Sequence, residues 1–119
     1  APIAEAKAYL DGKGIAYIEQ TANTNDEVIA AAKAADKLLS LRGVEASFAL
    51  ALVPGGVAIS ARSKGKVNVQ LIMEKLDGGG RFDMAGGQVP GDISEAYDRL
   101  TAAIDEYRMQ FPEQFKTET

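Results

Sequence analysis

The chain has 119 residues, a formal net charge of −4 at pH 7, and neither Cys nor His. A chain of this length is expected to form one domain that buries about two-thirds of its unfolded surface. The composition excludes disulfides, thiolate nucleophiles, and the commonest general base and transition-metal ligand. No apolar run approaches the ~20 residues that span a bilayer. A carboxylate-only magnesium site remains open, but a self-sufficient metallohydrolase is not favoured.

The first residues predict a short helix followed by a short strand. Pro2 suits the first turn of a helix that runs to Leu10, and Gly12 and Gly14 then end this helix. Residues 15–20 resemble a strand.

A long helix is predicted next, and both of its ends are marked. Thr24 and Glu27 form a capping-box pair, in which each side chain satisfies a free amide at the helix start. Apolar residues then recur at helical spacing as far as Leu39. Arg42 complements the dipole at the C-terminal end, and Gly43 is the expected left-handed stop.

A β-hairpin follows. Residues 46–53 and 57–63 have the composition of strands, and the Pro-Gly-Gly segment 54–56 has the chemistry of the turn between them. The apolar residues of each strand share one face. Ser60 and Arg62 therefore point together to the opposite face, about 7 Å apart along the strand.

A second helix is predicted after the hairpin. Asn68 is a suitable N-cap for a helix whose apolar stripe runs from Val69 to Leu76. The three consecutive glycines at positions 78–80 then end the helix.

The last third of the chain predicts a turn-rich segment and a long terminal helix. Residues 82–85 suit one helical turn, and residues 87–89 suit a short strand. Asp92 and Glu95 form a second capping pair, and an apolar stripe at spacings of four and three then continues to Phe111. The order of elements predicts an α/β fold: a mixed sheet with a central hairpin and helices packed on it, as a two-layer or three-layer sandwich.

Residues 60–81 form a positive island on an acidic chain. This window is at +3, whereas the rest of the chain is at −7. Its five basic residues are Arg62, Lys64, Lys66, Lys75 and Arg81. Because the positive charge is confined to this one segment, it indicates a local anion site rather than an extended nucleic-acid-binding surface.

Each feature of this anion site has a plain structural alternative. Three glycines in a row let backbone amides approach an anion, but a bare triple glycine is more often a flexible helix end. Arg81 directly after the glycines favours phosphate, because its planar guanidinium binds phosphate in a bidentate manner. Arg62 suits either a ligand or a solvated edge strand. Asn68 suits either a ligand or a simple N-cap.

Three segments of the positive island resemble a known family. They are residues 59–63 (ISARS), 65–76 (GKVNVQLIMEKL) and 78–85 (GGGRFDMA). Together they closely resemble the DHH-associated C-terminal domain of DHH phosphoesterases, and in particular that of bacterial cyclic-di-AMP phosphodiesterases. The resemblance covers about residues 24–108.

The resemblance implies a division of labour between two domains. Residues 24–111 would be the DHH-associated, substrate-binding domain, residues 1–23 a linker from a preceding DHH domain, and residues 112–119 a polar tail. In this family the DHH domain holds manganese and carries out the hydrolysis. We therefore expect no catalytic residue, metal ligand or cofactor in this chain, and no activity of the chain alone.

The resemblance also implies which residues bind substrate and phosphate. These are Ser60, Arg62, Ser63, Asn68, Gly78, Gly79, Gly80 and Arg81. The glycine loop of the family usually ends in His, whereas this chain has Arg81. This departure leaves the identity of the cyclic dinucleotide open.

By the same resemblance, the intact protein would hydrolyse cyclic-di-AMP to a linear dinucleotide. The implied partners are a cyclic dinucleotide or short oligonucleotide, the DHH domain of the same polypeptide, and a second copy in a homodimer. The chain would be the cytosolic end of a membrane-anchored bacterial protein, without direct membrane contact of its own.

Three alternatives stay open. One is a nanoRNA or short-oligonucleotide phosphoesterase, and another is a non-catalytic nucleotide-binding module. The third is nucleic-acid binding of the kind that related domains perform in alanyl-tRNA synthetases. The acidic charge disfavours this last role, because binding to a nucleic-acid backbone requires many phosphates to be neutralised.

Overall fold

A six-stranded mixed sheet forms the middle layer of the molecule. The structure, a computed structural model, describes residues 7–115 and the side chains of residues 10–114. The strands are β1 (Lys7–Leu10), β2 (Ile15–Thr21), β3 (Ala46–Val53), β4 (Gly56–Ser63), β5 (Gly79–Gly80) and β6 (Met84–Val89). They lie in the order β1-β2-β3-β4-β6-β5. β2 and β3 are parallel, and the other neighbouring strands are antiparallel.

Helices cover both faces of the sheet. They are α1 (Asn25–Leu38), α2 (Val69–Glu74), α3 (Ile93–Gln110) and a short 3-10 helix (Pro112–Phe115). α1 packs on β2, β3 and β4, whereas α2 packs on β4, β5 and β6, and α3 packs on β3 and α2. The core residues of the strands divide between the two sets of helices, so these lie on opposite faces. The predicted α/β sandwich is confirmed in its three-layer form.

The two cores differ in the size of their side chains. The core under α2 and α3 contains large residues such as Tyr17, Phe48 and Tyr107. The core under α1 consists largely of alanines, and these let α1 lie close to the sheet. The buried hydroxyl of Ser47 on β3 donates to the carbonyl oxygen of Ala35 on α1 over 2.6 Å. This bond fixes the position of α1 on β3.

The predicted caps begin the three α-helices as expected. Asn68 caps α2, and Thr24 accepts a hydrogen bond from the Glu27 amide at the start of α1. Only this half of the predicted capping box forms there, because the Glu27 carboxylate accepts from the Thr24 hydroxyl over 3.4 Å. Asp92 forms the predicted capping box with Glu95 at the start of α3. The long helix predicted after Thr24 does not run on to Gly43, so this part of the prediction is wrong. α1 ends at Leu38, and turns follow in which the Ser40 hydroxyl donates to the Lys37 carbonyl oxygen.

The predicted helix before residue 11 is wrong where the structure describes it. Residues 7–10 form β1, which pairs with β2; Pro2 lies outside the described residues. Gly12 and Gly14 have positive φ of 72° and 95°, and Asp11 accepts hydrogen bonds from the amides of residues 13 and 15. These contacts make a tight turn between strands, so the glycines end a strand and not a helix. β2 contributes to the larger core, and the sheet therefore begins well before residue 24.

The glycine-rich segment after α2 also differs from prediction. Residues 82–85 contain no helical turn. Arg81 and Met84 exchange backbone hydrogen bonds of 2.7 and 3.3 Å around a two-residue turn, and β6 starts at Met84, three residues before the predicted strand at 87–89. The strand forms because β6 pairs with β4, and local propensity does not reveal a partner 20 or more residues away.

The described part of the predicted polar tail has regular structure. Pro112–Phe115 form the 3-10 helix, and the buried Tyr107 hydroxyl donates a hydrogen bond to the Gln114 side chain. A polar composition misses this contact because the partner lies inside the core.

Candidate functional site

One face of the sheet is only partly covered by helix. α1 packs on β2, β3 and β4, and β6 and β5 extend beyond it on the same face. A side chain added at Gly79 on β5 would meet no described atom within 4 Å. We call this part of the sheet the open face, and its residues are Ser60, Arg62, Gly79, Arg81, Met84 and Gly86.

Two rows of residues cross the open face. In one row Arg62 pairs with Met84, and Met84 pairs with Arg81. In the adjacent row Ser60 pairs with Gly86, and Gly86 pairs with Gly79. Because paired residues point to the same face, long side chains stand beside a row of small ones. With neighbouring strands about 4.8 Å apart, the Cα atoms of the two arginines are about 10 Å apart. The result is a shallow trough with a cationic border.

Arg62 is held in place on an interior strand. β4 lies between β3 and β6, so the explanation of a solvated edge-strand arginine is excluded. Its Nε lies 3.0 Å from Oδ1 of Asp36 on α1, although this N–H does not point at an acceptor. Its Nη1 donates to the carbonyl oxygen of Ala61 over 3.0 Å. Nη2 has no acceptor within residues 7–115 and is available to a ligand.

Arg81 has more freedom than Arg62. Its side chain is 68% exposed, against 15% for Arg62. Its Nε lies 3.5 Å from Oδ1 of Asp83, and its Nη2 lies 3.9 Å from the sulfur of Met84. An exposed ion pair of this kind contributes about 0–1 kcal/mol. Arg81 can therefore exchange its partner for a ligand at little cost.

The three consecutive glycines differ in whether the fold would allow a side chain at their positions. A Cβ at Gly78 would collide with the carbonyl oxygen of Gly86, and a Cβ at Gly80 would lie 2.5 Å from Cα of Ala85. The chain has 12 glycines, and the structure describes all of them. Gly79 alone has neither a positive φ nor a close neighbour that would exclude a side chain. The fold explains Gly78 and Gly80, and it leaves Gly79 unexplained.

The structure separates the two predicted serines. Ser60 lies on the open face, and its hydroxyl has no hydrogen bond to any residue from 7 to 115. Ser63 points to the opposite face, where it is buried and accepts a hydrogen bond of 2.9 Å from the Gly65 amide. Ser63 is thus not brought together with Ser60 and Arg62, and its hydroxyl shapes the turn after β4.

Asn68 also lies away from the open face. Its side chain caps α2 by accepting a hydrogen bond of 3.3 Å from the Leu71 amide. Its own amide donates to the Tyr107 hydroxyl over 2.8 Å. These contacts tie α2 to α3 on the opposite side of the sheet, and they account for Asn68 as a structural residue.

Three residues next to the predicted site do not follow from the sequence. Met84 and Gly86 stand on the open face because β6 pairs with β4, and the predicted helical turn at 82–85 concealed this register. Asp36 reaches Arg62 from α1. Only the pairing of non-adjacent elements places these residues, so no local pattern could have found them.

Residues 7–115 contain no group of three or more His, Cys, Asp or Glu side chains that could hold a metal ion. None of the helices in this range is long and apolar enough to cross a membrane.

Burial raises the pKa of the Tyr17 phenol well above its ordinary value. Tyr17 belongs to the core under α2 and α3, so this shift reports packing.

Comparison with known proteins identifies the family. Residues 12–110 match the model of the DHHA1 domain. The chain is 48% identical over 101 residues to the cyclic-di-AMP phosphodiesterase GdpP of Bacillus subtilis, which covers 83% of this chain and 15% of that protein. It is 47% identical over 103 residues to the cyclic-di-AMP phosphodiesterase PdeA of Listeria monocytogenes, with the same two coverages. The chain thus spans about one-seventh of the length of these curated relatives.

A solved structure supports the same fold. An exopolyphosphatase-related protein from Bacteroides fragilis superimposes with a TM-score of 0.69 at 23% identity. The superposition covers 87% of this chain and 32% of that one. The family match, the close relatives and the three-layer fold agree, and the chain belongs to the DHHA1 domain family.

Proposed function

We propose that this chain is the substrate-binding domain of a DHH-family phosphodiesterase that hydrolyses cyclic-di-AMP to a linear dinucleotide. Its membership of the DHHA1 family and its identity of 47–48% to two cyclic-di-AMP phosphodiesterases support this proposal. Because the chain spans only 15% of those relatives, the remainder of the polypeptide supplies the DHH domain and its chemistry. The two domains face each other across a cleft that holds the substrate.

Gly79 is the observation that carries the proposal. Its position in an open part of the sheet requires no glycine for packing or for backbone conformation. A ligand that lies against the backbone of β5 gives it a reason to lack a side chain. The adjacent row places Arg62 and Arg81 beside this floor, where their guanidinium groups bind phosphate oxygens. The free hydroxyl of Ser60 completes the polar contacts.

The remaining predicted residues do not contact the ligand in this proposal, and they support the segments that do. Gly78 and Gly80 allow β5 to turn and pair with β6 without a steric clash. Ser63 shapes the turn after β4, and Asn68 starts α2. We therefore limit the contact residues to Ser60, Arg62, Gly79 and Arg81.

The manganese ion of the family belongs to the DHH domain in this proposal. There it would activate water and neutralise charge on the phosphate. The part played by this chain is to bind and orient the dinucleotide. Arg81 in place of the usual His supplies a charge that persists at every physiological pH, together with a longer reach.

We also propose a location and an assembly for the intact protein. The similarity to cyclic-di-AMP phosphodiesterases supports a position of this domain on the cytosolic side of a membrane-anchored polypeptide. A homodimer is compatible with this arrangement. Fractionation and sedimentation of the intact protein test the two points separately.

Competition between substrates tests the proposed function. The polypeptide that carries this chain and its DHH domain is assayed with manganese on cyclic-di-AMP, on the linear dinucleotide, and on short oligonucleotides. We expect a kcat/KM for cyclic-di-AMP at least about tenfold above the others, equivalent to about 1.4 kcal/mol. A preference for linear substrates would instead support a nanoRNA phosphoesterase. Binding without hydrolysis would support a non-catalytic nucleotide-binding module.

A further inference from the structure

Asp36 is the residue of α1 that reaches the open face. Its carboxylate Oδ1 lies 3.0 Å from Nε of Arg62. The Asp36 side chain is 53% exposed, so it borders the trough from the helix side. The N–H of Nε is not aligned with an acceptor, and the contact is therefore an attraction between charges rather than a directed hydrogen bond.

The backbone holds Asp36 firmly in this place. Ala35, the preceding residue, accepts the hydrogen bond of 2.6 Å from the buried hydroxyl of Ser47. Ser47 is also the partner of Arg62 in the register between β3 and β4. α1 is thus fixed to the sheet beside Arg62, and the backbone of Asp36 keeps this position when a ligand enters.

A carboxylate at this position has opposite effects on a phosphate that approaches Arg62. It helps to orient the guanidinium, because Nε lies beside Asp36 and Nη1 bonds to the Ala61 carbonyl oxygen, while Nη2 has no acceptor among residues 7–115. It also repels the phosphate, since like charges a few ångströms apart disfavour each other. The repulsion grows with the charge on the phosphate.

Substrate and product of the proposed reaction differ in this charge. In cyclic-di-AMP each phosphate is a diester with one negative charge. Hydrolysis adds water across one P–O bond, and gives a hydroxyl and a terminal phosphomonoester. The second pKa of such a monoester is about 6, so at neutral pH it carries nearly two negative charges.

We propose that Asp36 is a positioning residue that makes the site discriminate against this terminal phosphomonoester and so favours release of the linear product. The inference rests on the proposed function, because it takes Arg62 as a phosphate ligand. Asp36 does not touch the ligand; it acts by orienting Arg62 and by the negative charge of its carboxylate. Its removal should therefore change product affinity more than substrate affinity.

Replacement of Asp36 by asparagine tests the inference. Asp36→Asn keeps the volume and an oxygen acceptor but removes the charge. Asp98→Asn is a matched control, since Asp98 is an exposed residue of α3 on the other side of the sheet. In the polypeptide that carries the DHH domain, we measure KM for cyclic-di-AMP and the inhibition constant of 5′-phosphorylated linear diadenylate, at low and at moderate salt.

We expect Asp36→Asn to lower the inhibition constant of the linear product about 3–10-fold at low salt. The fold-change in KM for the cyclic substrate should be less than half of this fold-change. The effect should shrink at moderate salt, because exposed charges are screened. Asp98→Asn should alter neither constant. In an Arg62→Ala background the effect of Asp36→Asn should be smaller, because the phosphate is then no longer held a few ångströms from the carboxylate.

The outcomes separate this inference from the proposed function. If Arg62→Ala leaves both constants unchanged, Arg62 does not bind phosphate, and both proposals fail at this residue. A second outcome is that Arg62→Ala weakens the binding of both ligands while Asp36→Asn leaves both constants unchanged or shifts both by the same factor. In that case only the role of Asp36 is overturned. A gain in product affinity that is equally large in the Arg62→Ala background overturns it as well, because the phosphate is then not held beside Asp36.

Discussion

Arg62 and Arg81 lie in one row across the sheet with Met84 between them. Arg62 is fixed by Asp36 and by the carbonyl oxygen of Ala61, whereas Arg81 is largely exposed and weakly paired. One guanidinium is thus preorganised, and the other can close on a ligand. The row of Ser60, Gly86 and Gly79 beside them provides a floor without large side chains. This arrangement leads to four predictions about individual residues.

Substitution of Gly79 should separate binding from stability. We expect Gly79→Ala to weaken cyclic-di-AMP binding about tenfold or more, because a methyl group would stand where the ligand meets β5. Folding stability should stay the same or rise by about 0.4–1 kcal/mol, since alanine restricts the unfolded chain. Calorimetric titration and thermal unfolding measure the two effects.

Gly80→Ala is the matched control for Gly79. Its methyl group would lie 2.5 Å from Cα of Ala85, at a residue with φ of 144°. We expect a loss of more than about 2 kcal/mol of stability, because backbone strain and steric overlap add together. Equal destabilisation by both substitutions would contradict a ligand-related role for Gly79.

The two serines should give opposite results. Ser60→Ala is expected to leave the melting temperature unchanged and to weaken ligand binding, because the Ser60 hydroxyl makes no hydrogen bond to the described part of the fold. Ser63→Ala should cost about 1 kcal/mol of stability through the unpaired Gly65 amide. Binding and melting curves of the two variants, measured side by side, decide the matter. A binding defect in Ser63→Ala alone would reverse the assignment.

Replacement of Arg81 by histidine should make ligand binding depend on pH. The free imidazole has a pKa of about 6.5. Its charge is present below this pH and is lost as the pH rises, whereas arginine keeps its charge throughout. Binding of cyclic-di-AMP to Arg81→His, measured without metal so that no hydrolysis occurs, should therefore weaken severalfold between pH 5.5 and 8. The wild type should stay nearly constant, and a flat profile for the variant would show that residue 81 does not contact phosphate.

Asn68 should affect stability and not binding. Asn68→Ala removes the N-cap of α2 and should cost about 1 kcal/mol. Asn68→Ser retains a capping oxygen and should restore most of this loss. Chemical denaturation gives the stability, and ligand titration gives the affinity. A loss of affinity in the well-folded serine variant would place Asn68 at the ligand after all.

Local patterns predicted most of the fold. The helices α1 and α3, the β3–β4 hairpin and the caps at Thr24, Asn68 and Asp92 follow from periodicity and capping chemistry, and the structure has them. The segments that local patterns missed depend on distant partners. β1 pairs with β2 across a glycine turn, and β6 is a strand because it pairs with β4.

The candidate site was predictable in part for the same reason. Alternation along β4 is a local property, so the common face of Ser60 and Arg62 could be derived from it. The position of Met84 depends on the register of β6, and the approach of Asp36 depends on how α1 crosses the sheet. The sequence offered three equivalent glycines, and only the packing around each of them distinguishes Gly79 from its neighbours.

Residue-resolved NMR tests the central claim most directly. The ¹⁵N-labelled chain is titrated with cyclic-di-AMP, and the amide shifts are followed. We expect the largest changes on the open face, at Ser60, Gly79, Arg81 and Gly86, and saturation at a common ligand concentration. Changes confined to the opposite side of the sheet, with the amides of Gly79 and Gly86 unmoved, would contradict the account.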